Sequence, residues 1–102
     1  MALLIACLQM IDPTIPHCQA ILLAPCREIA YRLYDTITKL CSDLGITVRI
    51  STGGAMVKQD CKSFRNGGIQ LVVGTPGRVY DMLQRRAFRP EYILYLGLID
   101  LD

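Results

Sequence analysis

Residues 71–79, Leu-Val-Val-Gly-Thr-Pro-Gly-Arg-Val, decide the fold class because they join an apolar strand directly to a helix. Three apolar residues precede Gly74, as in a strand that is covered on both faces of its sheet. Thr75 suits the N-cap of a helix. Pro76 suits its first position, where the missing N–H costs no hydrogen bond. The stretch therefore predicts one βα unit of an α/β domain.

The same unit recurs on both sides of this stretch. The pattern predicts strands over 20–24, 47–50, 69–73 and within 92–99, and helices over 27–44, over 55–64 and after Thr75. A buried helix is also expected over the apolar opening residues. It has no N-cap, so the chain is expected to begin inside an element. Apolar strands that alternate with helices predict a mostly parallel sheet with helices on both faces, a three-layer α/β domain.

Two of the predicted helices carry further detail. The helix over 27–44 is followed by Gly45, which suits a left-handed C-terminal cap. Its apolar stripe comprises Ile29, Leu33, Ile37, Leu40, Cys41 and Leu44. The third helix is expected to bury Val79, Met82 and Leu83. Cations favour the negative end of its dipole, and three gather there: Arg85, Arg86 and Arg89.

Composition limits the class of partner. The 102 residues carry a net charge of +2 and are 52% hydrophobic, which allows one core and argues against a disordered chain. The sequence pI of about 8.3 is below the value of about 9 that marks a basic nucleic-acid-binding domain. Nucleic acid would therefore be held by a few placed groups. The apolar opening is too short to span a bilayer, so no membrane partner is expected.

The five cysteines, Cys7, Cys18, Cys26, Cys41 and Cys61, are an odd number and are widely spaced. Neither a zinc site nor a disulfide framework is expected from such spacing. Free buried thiols in a reducing compartment are the simpler interpretation, and they predict a cytoplasmic or nuclear protein.

The segments that follow the strands are expected to lie along one edge of the sheet, where ligands of open α/β sheets bind. Free N–H groups at helix N-termini bind phosphate, and glycines let a ligand approach the backbone. Arg27 and Arg78 stand in first helical turns, where the dipole disfavours a cation unless an anionic ligand or a carboxylate answers it. Spacing alone leaves two interpretations open, a phosphate-binding edge and ordinary loops with structural ion pairs.

Asp100 follows the last predicted strand. That is a common place for a carboxylate that coordinates Mg²⁺ in nucleotide hydrolases. A solvated carboxylate near a chain end is the other interpretation.

Three segments along this edge resemble the DEAD-box RNA helicase family. Residues 24–30, Ala-Pro-Cys-Arg-Glu-Ile-Ala, are similar to motif Ia, usually written P-T-R-E-L. Thr52-Gly53-Gly54 resembles the GG motif, and residues 73–83 resemble motif Ib, T-P-G-R, with its usual continuation. The motifs occur in the family's order, each after a predicted strand. The resemblance is strongest to the translation initiation factor 4A branch.

This resemblance implies that residues 1–102 are part of the N-terminal RecA-like domain, with motifs Ia, GG and Ib and the start of motif II. In the family that domain and a second one bind ATP, Mg²⁺ and single-stranded RNA. Asp100 corresponds to the first residue of D-E-A-D, a catalytic position that holds Mg²⁺ through water. The implied RNA-backbone contacts are Pro25, Arg27, Gly53, Gly54, Thr75, Pro76, Gly77 and Arg78.

The chain also departs from the family's pattern. Its 102 residues contain no phosphate loop A-x-x-G-x-G-K-T, Leu101 stands where D-E-A-D has Glu, and Cys26 replaces the Thr of motif Ia. We therefore expect a helicase fragment that neither binds ATP nor hydrolyses it alone. The absence of the P-loop strand is expected to leave sheet edges open to self-association.

Two other functions remain open at this point. One is a catalytically inactive RecA-like module that binds a protein scaffold or competes for RNA. The other, which the family pattern disfavours, is an unrelated α/β domain for nucleotides or phosphometabolites.

Overall fold

The computed structural model describes residues 8–53, 57–65 and 67–99. Strands and helices alternate as predicted. The strands are β1 (Ala20–Leu23), β2 (Val48–Ser51), β3 (Leu71–Gly74) and β4 (Tyr95–Leu98). The helices are α1 (Arg27–Leu44), α2 (Val57–Arg65) and α3 (Pro76–Gln84), and residues 8–10 are also helical. A 3₁₀ turn over Pro90–Tyr92 precedes β4.

The four strands form one parallel sheet in the order β2-β3-β1-β4. Gly74 of β3 pairs with Leu23 of β1 on one side and with Ser51 of β2 on the other. Leu23 also pairs with Leu98 of β4. All four strands therefore end in register at one edge, which we call the carboxyl edge. The opposite edge, where the strands begin, is the amino edge.

Apolar side chains cover both faces of the sheet. On one face Ala20 and Leu22 pack with Ala30, Ile37 and Cys41 of α1. On the other face, Phe64 of α2 and Val79 and Met82 of α3 pack against Ile21 and Val72 of the central strands. The predicted three-layer α/β architecture is confirmed.

The position of α1 explains where the predicted apolar stripe was wrong. Its buried residues are Ala30, Ile37 and Cys41, whereas Leu40 and Leu44 are 36% and 48% exposed. The helix rests on the sheet through a narrow line, so leucines to the side of that line stay in solvent. Its end is as predicted, because Gly45 is left-handed with φ 72°.

Three of the cysteines are buried as expected, namely Cys18, Cys41 and Cys61. Cys26 is exposed, which contradicts the prediction of buried thiols, because it lies in the loop after β1. Burial raises the pKa of the Cys18 thiol to about 12. Cys7 lies outside the described residues.

Two buried glutamines hold the loop before β1. Gln70 donates from Nε2 to the carbonyls of Pro13 and Ile15 and accepts the N–H of Thr47 at Oε1, at 2.9–3.0 Å. Gln19 donates to Asp12 and Ile15 and accepts the N–H of Asp12. Each buried amide is thus satisfied by the backbone of this loop and fixes the loop against the start of the sheet.

Strand β4 lies within the predicted range 92–99 but differs from its prediction in cover. It begins at Tyr95, after the 3₁₀ turn over Pro90–Tyr92. It is the last strand of the sheet, and no other strand in the described ranges pairs with its outer side. Leu94, Leu96 and Leu98 are 61%, 63% and 77% exposed. Although these side chains are apolar, nothing in the described part of the molecule covers them. Within the same ranges, no helix is long and apolar enough to cross a membrane.

Candidate nucleic-acid interface at the carboxyl edge

The loops that follow β1, β2 and β3 lie side by side at the carboxyl edge. Backbone hydrogen bonds continue past the strand ends. The Ala24 N–H donates to the Gly74 carbonyl at 2.8 Å, and the Thr75 N–H donates to the Ser51 carbonyl at 3.2 Å. The three sequence motifs therefore leave the sheet at the same level, on neighbouring strands. The structure brings together Pro25, Arg27, Gly53, Thr75, Pro76, Gly77 and Arg78.

The first loop leads into the N-terminus of α1. Pro25, Cys26 and Arg27 are all exposed. Cys26 is the N-cap residue in extended geometry, and its side chain makes no capping hydrogen bond. Within the described ranges, the first N–H groups of α1 therefore have no capping partner and can bind an anion. The hydrogen bonds and ion pairs found within the described ranges do not involve the guanidinium of Arg27.

The second loop follows β2. Ser51 and Thr52 are buried, and Gly53 is exposed with no atom within 4 Å of an added Cβ. Open space at Gly53 means that a ligand can reach the backbone there. Gly54 lies outside the described residues.

The third loop turns from β3 into α3. Thr75 is the N-cap residue and Pro76 occupies the first helical position, as predicted, but the Thr75 side chain makes no capping hydrogen bond. Gly77 is exposed and has open space around it. Two helices thus present uncapped N-termini at the same edge, and both positive dipole ends favour an anion there.

Gly74 has a packing role that the sequence analysis did not assign. A Cβ at this position would collide with the Ser51 carbonyl oxygen and would lie 2.7 Å from Cγ2 of Val79. Only glycine lets β3 lie this close to β2 while α3 packs over it. The signal in the sequence was the glycine at the end of an apolar run, which marks a close backbone approach.

Arg78 differs from Arg27 in its surroundings. It is 9% exposed and already has a contact partner within the molecule. Much of this side chain is therefore committed to the fold, in keeping with the structural interpretation of a cation in a first helical turn.

The metal prediction falls outside the part of the chain that the structure describes, because Asp100 is not among those residues. Among the described residues, no three His, Cys, Asp or Glu side chains come close enough together to hold a metal ion.

A parallel sheet whose strand-end loops match three helicase motifs defines a class of protein. The sequence model of the DEAD/DEAH box helicase family matches residues 1–99. The chain belongs to this family.

Individual relatives agree with that assignment. The chain is 45% identical over 98 residues to the ATP-dependent RNA helicase eIF4A of Meyerozyma guilliermondii, which covers 96% of this chain and 24% of that protein. It is 43% identical over the same length to eIF4A of Mycosarcoma maydis, with the same coverage. The chain thus spans about a quarter of the length of these curated relatives.

A solved structure shares the fold. Saccharomyces cerevisiae Dbp5 bound to RNA and ADP BeF3 superposes with a TM-score of 0.82 at 27% sequence identity, covering 95% of this chain and 24% of that one. The RecA-like α/β fold inferred from the motifs is confirmed by this match.

Proposed function

We propose that this chain is a partial N-terminal RecA-like domain over residues 1–102, and that its carboxyl edge binds the sugar–phosphate backbone of single-stranded RNA. The observation that carries the proposal is that the N-termini of α1 and α3, on opposite faces of the sheet, both lie at the carboxyl edge without a side-chain cap, where Arg27 and Gly53 are also exposed. Such groups position a strand through its phosphates without reading its bases.

Charge supports a placed contact over a diffuse one. The chain carries only +2, so its overall field attracts RNA weakly. The N–H groups at the start of α1, the N–H of Gly77 and the exposed guanidinium of Arg27 provide local, directed contacts to two or three phosphates. The residues proposed to contact RNA are Pro25, Arg27, Gly53, Gly54, Thr75, Pro76, Gly77 and Arg78. Of these, Arg78 acts mainly by holding the start of α3.

We propose that this chain alone does not hydrolyse ATP. The 102 residues contain no phosphate-loop lysine, and Leu101 replaces the Glu of D-E-A-D. The curated relatives are named ATP-dependent RNA helicases. We propose that ATP and Mg²⁺ bind a complete helicase and not this chain by itself. Asp100 is proposed to hold Mg²⁺ through water only where the rest of such a site is supplied. A phosphate-release assay with RNA should therefore show no turnover, and RNA-stimulated turnover would contradict this.

Arg27 provides the sharpest test of RNA binding, and Arg32 provides its control. Both are exposed arginines on α1, but Arg32 lies five residues further along, about 7.5 Å down the helix axis. Anisotropy with a labelled single-stranded oligouridylate should show that Arg27→Ala lowers affinity about tenfold, the effect of one charge-assisted phosphate contact. The salt slope should also fall by about 0.7.

Arg32→Ala should change affinity much less. Equal losses for the two variants would mean that RNA senses net charge alone, and the proposed interface would be wrong.

A second candidate function, association with a protein scaffold or with a second copy, is favoured by β4. Its outer side is unpaired within the described ranges, and Leu96 and Leu98 stand exposed on the face that α2 and α3 cover elsewhere. Light scattering over a range of concentrations should show a dimer that Leu96→Lys disrupts. A monomer at all concentrations would remove the self-association part of this candidate.

A further inference from the structure

A second cationic region lies at the amino edge, opposite the proposed RNA interface. It surrounds a cavity of about 260 Å³ that is lined by Arg65, Arg86 and Arg89 together with His17. Four-residue strands separate the two edges by about 13 Å. Among the residues that the structure describes, no carboxylate lines this cavity.

The cavity is built by two helix ends and a loop. Helix α2 ends at Arg65, and the segment after α3 supplies Arg86, Ala87, Phe88 and Arg89. Its floor is aromatic, with the rings of Phe64 and Phe88 5.1 Å apart and both side chains buried. His17 stacks on Tyr92 at 4.4 Å beside it. A rigid apolar floor excludes water on one side, which strengthens electrostatic contacts made on the other.

Charge is concentrated here beyond what the whole chain carries. Two neighbouring cavities share these arginines and add Lys58 and Arg85, and Glu91 is the only carboxylate among their described lining residues. The described lining of the three cavities thus includes five cations and one acid, while the chain as a whole carries +2. Asp81 offsets only Arg85, through an ion pair of 3.1 Å.

Helix dipoles explain part of this cluster but not all of it. Arg65 donates to the Arg85 carbonyl at 2.9 Å, an interaction that stabilises the C-terminus of α3. Within the described ranges, Arg86 and Arg89 make no side-chain hydrogen bond or ion pair. Arg65 already interacts with the negative end of the α3 dipole, so the dipole does not account for the two exposed cations Arg86 and Arg89.

The backbone of Arg86 supplies an independent observation. Helices α1 and α3 end in the same way: Ile46 N–H donates to the Cys41 carbonyl in one, and Ala87 N–H donates to the Met82 carbonyl in the other. The left-handed residue of this cap is Gly45 in α1, at φ 72°, but Arg86 in α3, at φ 54°. Glycine fills this position at least cost, so an arginine there carries backbone strain, of the kind that clusters at functional sites.

We propose that Arg86 and Arg89, with Arg65 held in place beside them, form a binding site for a compact diphosphate group. Two adjacent phosphate groups carry about −3 charges, which matches the three arginines. Guanidinium groups bind phosphate oxygens in pairs, and all the fully charged groups of this cavity are arginines. A concave site of this size fits a compact anion better than an extended chain, which needs a long groove.

The test uses inorganic pyrophosphate and the full chain. Calorimetry at low salt should give saturable binding with a dissociation constant below about 1 mM. Arg86→Gly and Arg89→Ala should each weaken it at least about tenfold. Arg86→Gly is the more informative variant because its melting temperature should be unchanged or higher, so that lost binding cannot be blamed on lost structure.

Arg32→Ala removes the same charge from α1 and should leave pyrophosphate binding within twofold of the parent. Absence of binding, or equal losses for all three variants, would overturn the proposal. A single-stranded RNA that depends on Arg86 and Arg89 while pyrophosphate does not bind would also overturn it. Arg27→Ala separates the two proposals, because it should weaken RNA binding and spare the binding of pyrophosphate.

Discussion

Replacing Gly74 with alanine tests the packing on which the carboxyl edge depends. The added Cβ would collide with the Ser51 carbonyl oxygen, which also accepts the Thr75 N–H, and with a methyl group of Val79. A side chain could rotate away, but the carbonyl belongs to the backbone of β2. We therefore expect the free energy of unfolding to fall by about 3 kcal/mol, the upper end for one inserted methyl group.

That cost corresponds to a fall of roughly 12–24 °C in melting temperature for a domain of this size. Thermal denaturation followed by circular dichroism measures it directly. Gly77→Ala is the matched control, three residues away, where an added Cβ meets nothing within 4 Å. Alanine suits a helix better than glycine, so this variant should melt at the same or a higher temperature. A Gly74→Ala protein that melts within about 3 °C of the parent would refute the argument that β2, β3 and α3 leave no room here.

Three further predictions concern stability and titration. Gln70→Leu removes the partner of the Thr47 N–H and of the Pro13 carbonyl, whereas the Ile15 carbonyl still accepts from Gln19, so urea denaturation should show a loss of about 1–3 kcal/mol. Exposed Gln84→Leu should stay within about 0.5 kcal/mol, and equal effects would contradict the role of the buried amide. A thiol reagent should label exposed Cys26 first and spare Cys18, whose pKa of about 12 keeps it protonated. Because the pKa of Cys18 is raised from 9.0, the folded chain holds this proton more tightly than the unfolded chain, and the free energy of unfolding should fall as pH rises from 9 towards 12. Cys18→Ala should make this fall less steep. An unchanged slope would contradict the assignment of the fall to Cys18.

Much of the fold could be predicted from the sequence because its local signals agree. The step of three and four residues gave α1 its bounds, and Gly45 gave its end. Side-by-side order was beyond those signals, because an apolar run shows that a strand can be buried but not which strands lie beside it. The exposed leucines of β4 show the same limit, since hydrophobicity does not reveal whether a cover is present.

The candidate site divides in the same way. Strand ends place the loops, so the shared edge of Pro25, Gly53 and Thr75 followed from a parallel sheet alone. Arg78 could not be separated from Arg27 by sequence, since both stand in a first helical turn and only packing shows that one is buried. The strain at Arg86 was equally hidden, because its left-handed φ depends on how α3 ends against Ala87 and Met82.

The strand order also has a consequence for synthesis of the protein. Strand β1 is made first but lies in the middle of the sheet, and its partners begin only at Leu71 and Tyr95. At about 5–20 residues per second, roughly 2–10 s pass between completion of β1 and the first residue of its earlier neighbour. During that interval the nascent apolar run can be shielded only by segments that are already made, namely residues 8–19, α1 and later α2, or by a chaperone. A ribosome that stalls between Leu44 and Leu71 would therefore leave β1 without its strand partners, as an apolar segment that is prone to aggregation.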